Sequence, residues 1–149
     1  RKIILKGNHD YWWSTAAKFR KFCEENGFEN LNLLNNNCYE YEGVAICGTR
    51  GWFYEEERSG EHDEKVFKRE LLRLEASLKA AGDMRKMVFL HYPPITQDRI
   101  CPEIYDVLVG HKSVQLFNSC QSAHAGIKNS DSVIIHIRNS FNSFCQHYQ

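Results

Sequence analysis

Residues 3 to 10 read Ile3-Ile4-Leu5-Lys6-Gly7-Asn8-His9-Asp10. Consecutive apolar residues closed by a glycine predict a short buried strand from Lys2 to Lys6, with a polar turn at its carboxyl end. Behind the turn and Tyr11-Trp12-Trp13, Ser14 or Thr15 can cap a helix. Ala16, Phe19, Phe22 and Cys23 form its apolar stripe and Gly27 ends it. Strand, polar turn and helix in succession open an α/β fold. The turn also carries chemistry, because Asn offers an amide oxygen, His a ring nitrogen and Asp a carboxylate. The glycine in front lets the backbone bend sharply enough for them to converge on a cation. Gly, Asn and Asp are equally the residues of ordinary turns, so these four positions alone leave both readings open.

Further along, Leu31 to Leu34 reads as a short strand and Asn35-Asn36-Asn37 as a turn. Cys38 to Tyr41 and Val44 to Cys47 read as two strands joined through Glu42-Gly43. Gly48 to Gly60, with Trp52-Phe53-Tyr54 and Glu55-Glu56-Glu57, follows neither period and is expected to be a long loop. From His62 to Ala81, Phe67, Leu71, Leu74 and Leu78 recur at helical spacing, and Gly82 stops the pattern. Met87 to Leu90 is a buried strand. The Pro93-Pro94 pair forbids its continuation and leaves His91 at its end. Pro102 to Val109 fits a helix with proline in its first turn, and Val133 to Ile137 a strand. Gln115 to Ser132 and Asn139 to Gln149 are rich in Ser, Asn, Gln and His without a clear period. Residues 113–149 are therefore read as an atypical tail on a single domain spanning residues 1–149.

The bulk properties exclude several classes. The chain has 149 residues and 42% apolar content, which suits one domain with a real core. Nineteen basic residues balance nineteen acidic ones. No net field therefore draws nucleic acid or an anionic membrane surface, and the oligomeric state is left open. No stretch approaches the roughly 20 apolar residues of a membrane span, and no signal segment opens the chain, so the expected location is the cytoplasm. The six cysteines form no C-x-x-C pair and read as reduced thiols, mostly core fillers. The chain opens on Arg1, which is read as the mark of a fragment with sequence missing upstream.

Two strand ends now present comparable groups, Asn8-His9-Asp10 and, about 80 residues further on, His91. In open α/β sheets ligands gather outside the carboxyl ends of strands, so parallel neighbours would bring these turns to one edge. Gly7-Asn8-His9-Asp10 behind an apolar strand, with Leu90-His91-Tyr92-Pro93-Pro94, resembles the calcineurin-like metallophosphoesterase family. Lys6 to Trp13 and Ile46-Cys47-Gly48-Thr49-Arg50-Gly51-Trp52 resemble a bacterial branch of it. The resemblance spans residues 1 to 112.

This resemblance implies a four-layer α/β/β/α sandwich with a two-metal centre, built from Mn, Fe, Zn or Ni, at its strand ends. It implies a hydrolase that cleaves phosphomonoesters or phosphodiesters of small molecules by metal-bound hydroxide. Carried over by position, Asn8 and His91 coordinate the second metal. His9 stays off the metals and stabilises the phosphoryl oxygens or protonates the leaving alkoxide, and Asp10 orients His9 by accepting its other ring proton. The family's Asp-x-His and Gly-Asp-x-x-Asp motifs fall upstream of Arg1, so the chain is expected to be an incomplete, carboxyl-terminal part of such an enzyme. For the family's later Gly-His-x-His, His111 in Gly110-His111-Lys112-Ser113 matches the first His only, and His124 is the alternative metal ligand.

Other candidates have plainer readings. His62, His136 and His147 are expected to be ordinary surface or strand histidines, Trp12, Trp13 and Trp52 core residues, and Glu55 to Glu57 a solvated loop. Arg50 could grip a phosphate, though a single loop arginine is a thin signal. The alternative function is a non-catalytic remnant of the same fold acting as an interaction module.

Overall fold

Parallel pairing of β1 (Lys2–Leu5) with β2 (Leu31–Leu34), Ile4 opposite Leu33, demands a crossover, and α1 (Ala16–Glu25) supplies it. The computed structural model describes residues 2–7, 10, 15–51, 60–95, 99–118 and 133–136. Thr15 caps α1, its Oγ1 accepting the Lys18 N–H at 3.2 Å. Past the helix, Gly27 takes a left-handed φ of 68°. Phe19 and Cys23 are buried against Leu33, with Ile4, Ala16 and Leu31 packed around them. Phe22, expected in that stripe, is 47% exposed and meets Phe28 instead, their ring centroids 5.9 Å apart. The step of four from Phe19 to Cys23 stays on the row facing the sheet, whereas the step of three turns Phe22 to the rim.

A second sheet begins with the expected hairpin of β3 (Tyr39–Tyr41) and β4 (Val44–Thr49). Its turn has Glu42 and Gly43 both at positive φ, 49° and 74°, as a two-residue mirror-type turn requires. Next to β4 lie β5 (Arg85–Leu90), β6 (Val114–Asn118) and β7 (Val133–His136), all parallel and in that order. The β4–β5 crossover carries α2 (Gly60–Ala80) and the β5–β6 crossover α3 (Pro102–Val109), close to the expected bounds.

The sequence pattern predicts no element at residues 115–132, yet β6 occupies part of this stretch and sits between β5 and β7. A five-residue strand carries too few repeats for its period to stand out. Its reason lies in its neighbour, with Lys86 opposite Val114 and Val88 opposite Leu116. The five-stranded sheet thus continues into the stretch expected to be an atypical tail.

Alternate residues of three strands, Ala45, Cys47, Val88, Leu90, Val114 and Leu116, pack against Phe67, Leu74 and Leu78 of α2 and Ile104 and Leu108 of α3. Each large side chain so buried contributes about 1.5–3 kcal/mol, so packing rather than propensity holds these helices in place. Gly48 takes a φ of 151°, and a Cβ on it would stand 2.0 Å from the Phe89 carbonyl oxygen. The β4–β5 ladder can close there only because residue 48 has no side chain. Ser77 of α2, fully buried, accepts the Gly48 N–H at 2.9 Å and donates to the Asn37 carbonyl at 2.6 Å. The two sheets are tied by the Tyr39 hydroxyl, which donates to the Leu33 carbonyl at 2.9 Å. The chain is a mixed α/β protein, and among the described residues no helix is long and apolar enough to cross a membrane.

Candidate active site at the strand ends

Gly7, just past β1, was expected to be glycine for the sake of a sharp bend, yet it is not among the glycines with positive φ. Space is the reason instead. A Cβ at Gly7 would lie 3.2 Å from His91 Cε1, 3.4 Å from His91 Nδ1 and 3.4 Å from Asp10 Oδ2. The imidazole and the carboxylate therefore crowd the same Cα, one arriving from β5 in the second sheet and the other from the turn after β1. The Gly7 N–H donates to Asp10 Oδ2 at 2.6 Å, so the carboxylate folds back and closes the turn on itself.

The end of β4 joins this edge. Thr49 stands opposite Leu90 at the end of the ladder, and beyond it the Tyr92 N–H donates to the Arg50 carbonyl at 2.9 Å. Gly51, at φ 73°, brings the backbone so near Tyr92 that a Cβ would lie 3.3 Å from its carbonyl oxygen. The Tyr92 ring stands edge-on to His91, centroids 5.0 Å apart and planes at 74°. Three strand ends from two sheets thus meet where His91 and Asp10 lie. Asn8 and His9 fall outside the described residues, between Gly7 and Asp10 in the chain. No protein-family model, curated protein or solved structure matches the chain.

His111 is not brought to this edge. It follows α3 and precedes β6, and the Lys86 N–H donates to the Ser113 carbonyl at 2.8 Å, which fixes this stretch beside the start of β5. Because β5 and β6 are parallel, His111 lies at their amino ends and His91 at the carboxyl end. Roughly 15–20 Å of strand separates them, at about 3.3 Å per residue. His111 Nε2 instead lies 3.1 Å from Glu75 Oε2. Burial pushes the Glu75 carboxyl up, but hydrogen bonds from Lys79 and His111 outweigh it and hold the group below its ordinary value. This placement sets His111 apart from His91 and Asp10.

The alternative, His124, lies outside the described residues, as do Trp12, Trp13, Trp52, Glu55 to Glu57 and His147. His62 is exposed in the first turn of α2. Cys23, Cys47 and Cys101 are buried thiols, and Cys47 is pushed up to about 11, first by burial and then by neighbouring Cys38. A depression of about 490 Å³ beside α1, lined by Phe19, Cys23, Phe28 and Tyr39 among others, contains none of the candidate residues.

Among the described residues no group of three or more His, Cys, Asp and Glu side chains gathers into a metal cage. The described donors at the strand ends are His91 and Asp10. Sequence reading passed over Glu70, which is 2% exposed and accepts the Thr49 hydroxyl at 2.7 Å. Its signal was present, since residue 70 shares the inward face of α2 with Phe67 and Leu74, where a carboxylate is out of place unless paired.

Proposed function

We propose that the chain is the carboxyl-terminal part of a metal-dependent phosphoesterase with a four-layer α/β/β/α fold. The observation that carries this reading is the contact of His91 with Gly7 and the Asp10 turn, which joins the two motifs of the family resemblance. The layering is supported by α1 packed on the first sheet, α2 and α3 on the second, and the Tyr39–Leu33 bond between sheets. The donor chemistry fits a transition-metal dication: an imidazole and a carboxylate beside an Asn and a second His in sequence form the mixed N and O set that Mn, Fe, Zn or Ni accept.

In this reading Asn8 and His91 would hold a cation. When bound, the two-metal centre supplies a nucleophile at neutral pH and neutralises charge on the phosphoryl group. His9 donates a proton to the leaving alkoxide, and Asp10 keeps the turn that carries His9 closed through the Gly7 N–H.

The test is metal content and turnover measured together. His91→Ala is expected to lower bound Mn or Zn, by elemental analysis, and hydrolysis of p-nitrophenyl phosphate by at least about tenfold each, as loss of a metal-site partner does. His9→Ala is expected to keep the metal and slow hydrolysis. Unchanged metal and turnover in His91→Ala would remove the assignment. A wild-type chain that folds cooperatively and takes up no metal would favour the interaction module.

A further inference from the structure

The β3–β4 hairpin sets two thiols against each other, and no step proposed for the strand ends uses them. Tyr41 and Val44 close its two-residue turn and Tyr39 stands opposite Ile46, so one step further out Cys38 faces Cys47. In such a hairpin the pair that closes the turn exchanges both backbone bonds and the pairs then alternate. Cys38 and Cys47 are therefore a non-hydrogen-bonded pair, the kind whose side chains lie closer. One position beyond, Ser77 Oγ accepts the Gly48 N–H and donates to the Asn37 carbonyl, so a hydroxyl spans residues 37 and 48 and carries the register past the thiols. Both thiols lie on the face toward α2. Cys47 is fully buried, its Sγ donating to the Ser77 carbonyl at 3.6 Å, and Cys38, partly exposed, packs against the same core. Cα atoms of such a pair stand about 4.5 Å apart, within the roughly 4.4–6.8 Å that a disulfide spans. The two sulfurs can join without moving either strand far.

We propose that Cys38 and Cys47 are a modification site, which a low-molecular-weight disulfide of the glutathione type oxidises to a cross-strand disulfide that excess thiol reopens. Cys38 opens the reaction, because of the two it is the one partly exposed. Burial, and then neighbouring Cys38, push Cys47 up to about 11, so it stays protonated and reacts second. The Cys38 thiol gives its proton to water, and its sulfur attacks one sulfur of the incoming disulfide. That S–S bond breaks, and one glutathione leaves as a thiolate that takes up the proton. The Cys47 sulfur then attacks the Cys38 sulfur, and the Cys47 proton goes to the second glutathione as it leaves. The two protein thiols have lost two electrons in all, and the glutathione disulfide has gained them as two thiols. Neither cysteine belongs to the strand-end site, so the pair stands whether or not a metal binds there.

The test equilibrates the full chain with reduced and oxidised glutathione, alkylates the remaining thiols after unfolding, and maps the products by mass spectrometry. Glu40 and Glu42 stand between the two cysteines, so cleavage after glutamate separates peptides that only a disulfide would hold together. The native chain is expected to form the Cys38–Cys47 bond with an equilibrium constant at least about tenfold above that of the same chain in guanidinium, because the fold holds the sulfurs in place. Dithiothreitol is expected to reverse it. Cys47→Ala is expected to stop with glutathione on Cys38, and Cys38→Ser to leave Cys47 unmodified. Wild type and Cys38→Ser decide the matter should Cys47→Ala fail to fold. Glutathione remaining on Cys38 in wild type, Cys38 linked to a different cysteine, or both thiols recovered alkylated would overturn the proposal. So would glutathione on Cys47 in Cys38→Ser, or an equilibrium constant no higher in the native chain than in the unfolded one.

Discussion

Residue 7 is a glycine because an imidazole lies over it. A methyl group there would approach His91 Cε1 to 3.2 Å, a contact the ring relieves by moving a few tenths of an ångström. Gly7→Ala is therefore expected to change folding stability by less than about 1 kcal/mol, since alanine also reduces the freedom of the unfolded chain. Metal affinity is expected to fall by about tenfold, because ligand direction is sensitive to small displacements. Denaturant melts beside a metal-binding isotherm check this, and equal losses in both would mean that Gly7 serves packing alone. At this scale the sequence was informative about residue type and less so about cause. Asn8-His9-Asp10 and His91 announce themselves by chemistry at strand ends. The packing of Gly7 under His91 joins residues far apart in the chain, and no local pattern encodes it. The same holds for Glu70, whose inward position was readable but whose partners Thr49 and Arg50 were not.

Among the elements, β4 shows how a strand's sequence serves its neighbour. Gly48 interrupts Val44-Ala45-Ile46-Cys47, and at that point the Phe89 carbonyl passes so close that a Cβ would sit 2.0 Å away. The glycine in Gly48-Thr49-Arg50-Gly51 therefore sets how near β5 comes, and with it where His91 emerges. Gly48→Ala is expected to cost roughly 3 kcal/mol or more, from forced separation of the strands and a φ that alanine rarely adopts. Its denaturation midpoint measures this, and a loss below about 1 kcal/mol would show that the ladder can shift without penalty. Elements with long or punctuated patterns were legible: α2 through its apolar stripe, the β3–β4 hairpin through Glu42-Gly43, α3 through Pro102. β6 was not, because its five residues gain meaning only from pairing with β5 on one side and β7 on the other. The exposed Phe22 marks the same limit, since helical spacing finds a face but not its width.

For the whole molecule, ties between the two sheets among the described residues include the Tyr39–Leu33 bond and the packing of His91 on Gly7. The proposed cation takes Asn8 from the end of β1 and His91 from the end of β5. It would therefore cross-link the sheets and bind the folded chain far better than the unfolded one. Linkage then makes metal a stabiliser: free Mn at about 100 times its dissociation constant adds about 2.7 kcal/mol. For a chain of this size, with about 2–4 °C per kcal/mol, the midpoint is expected to rise by roughly 5–10 °C. Calorimetric scans with and without Mn measure it, and EDTA is expected to reverse it. In His91→Ala the rise is expected to shrink to about half or less, since one of the two sheets no longer supplies a ligand and a tenfold weaker site adds only about 1.4 kcal/mol at the same Mn. An undiminished rise in His91→Ala would place the cation elsewhere, and no rise in wild type would leave the sheets held by packing alone, as an interaction module requires.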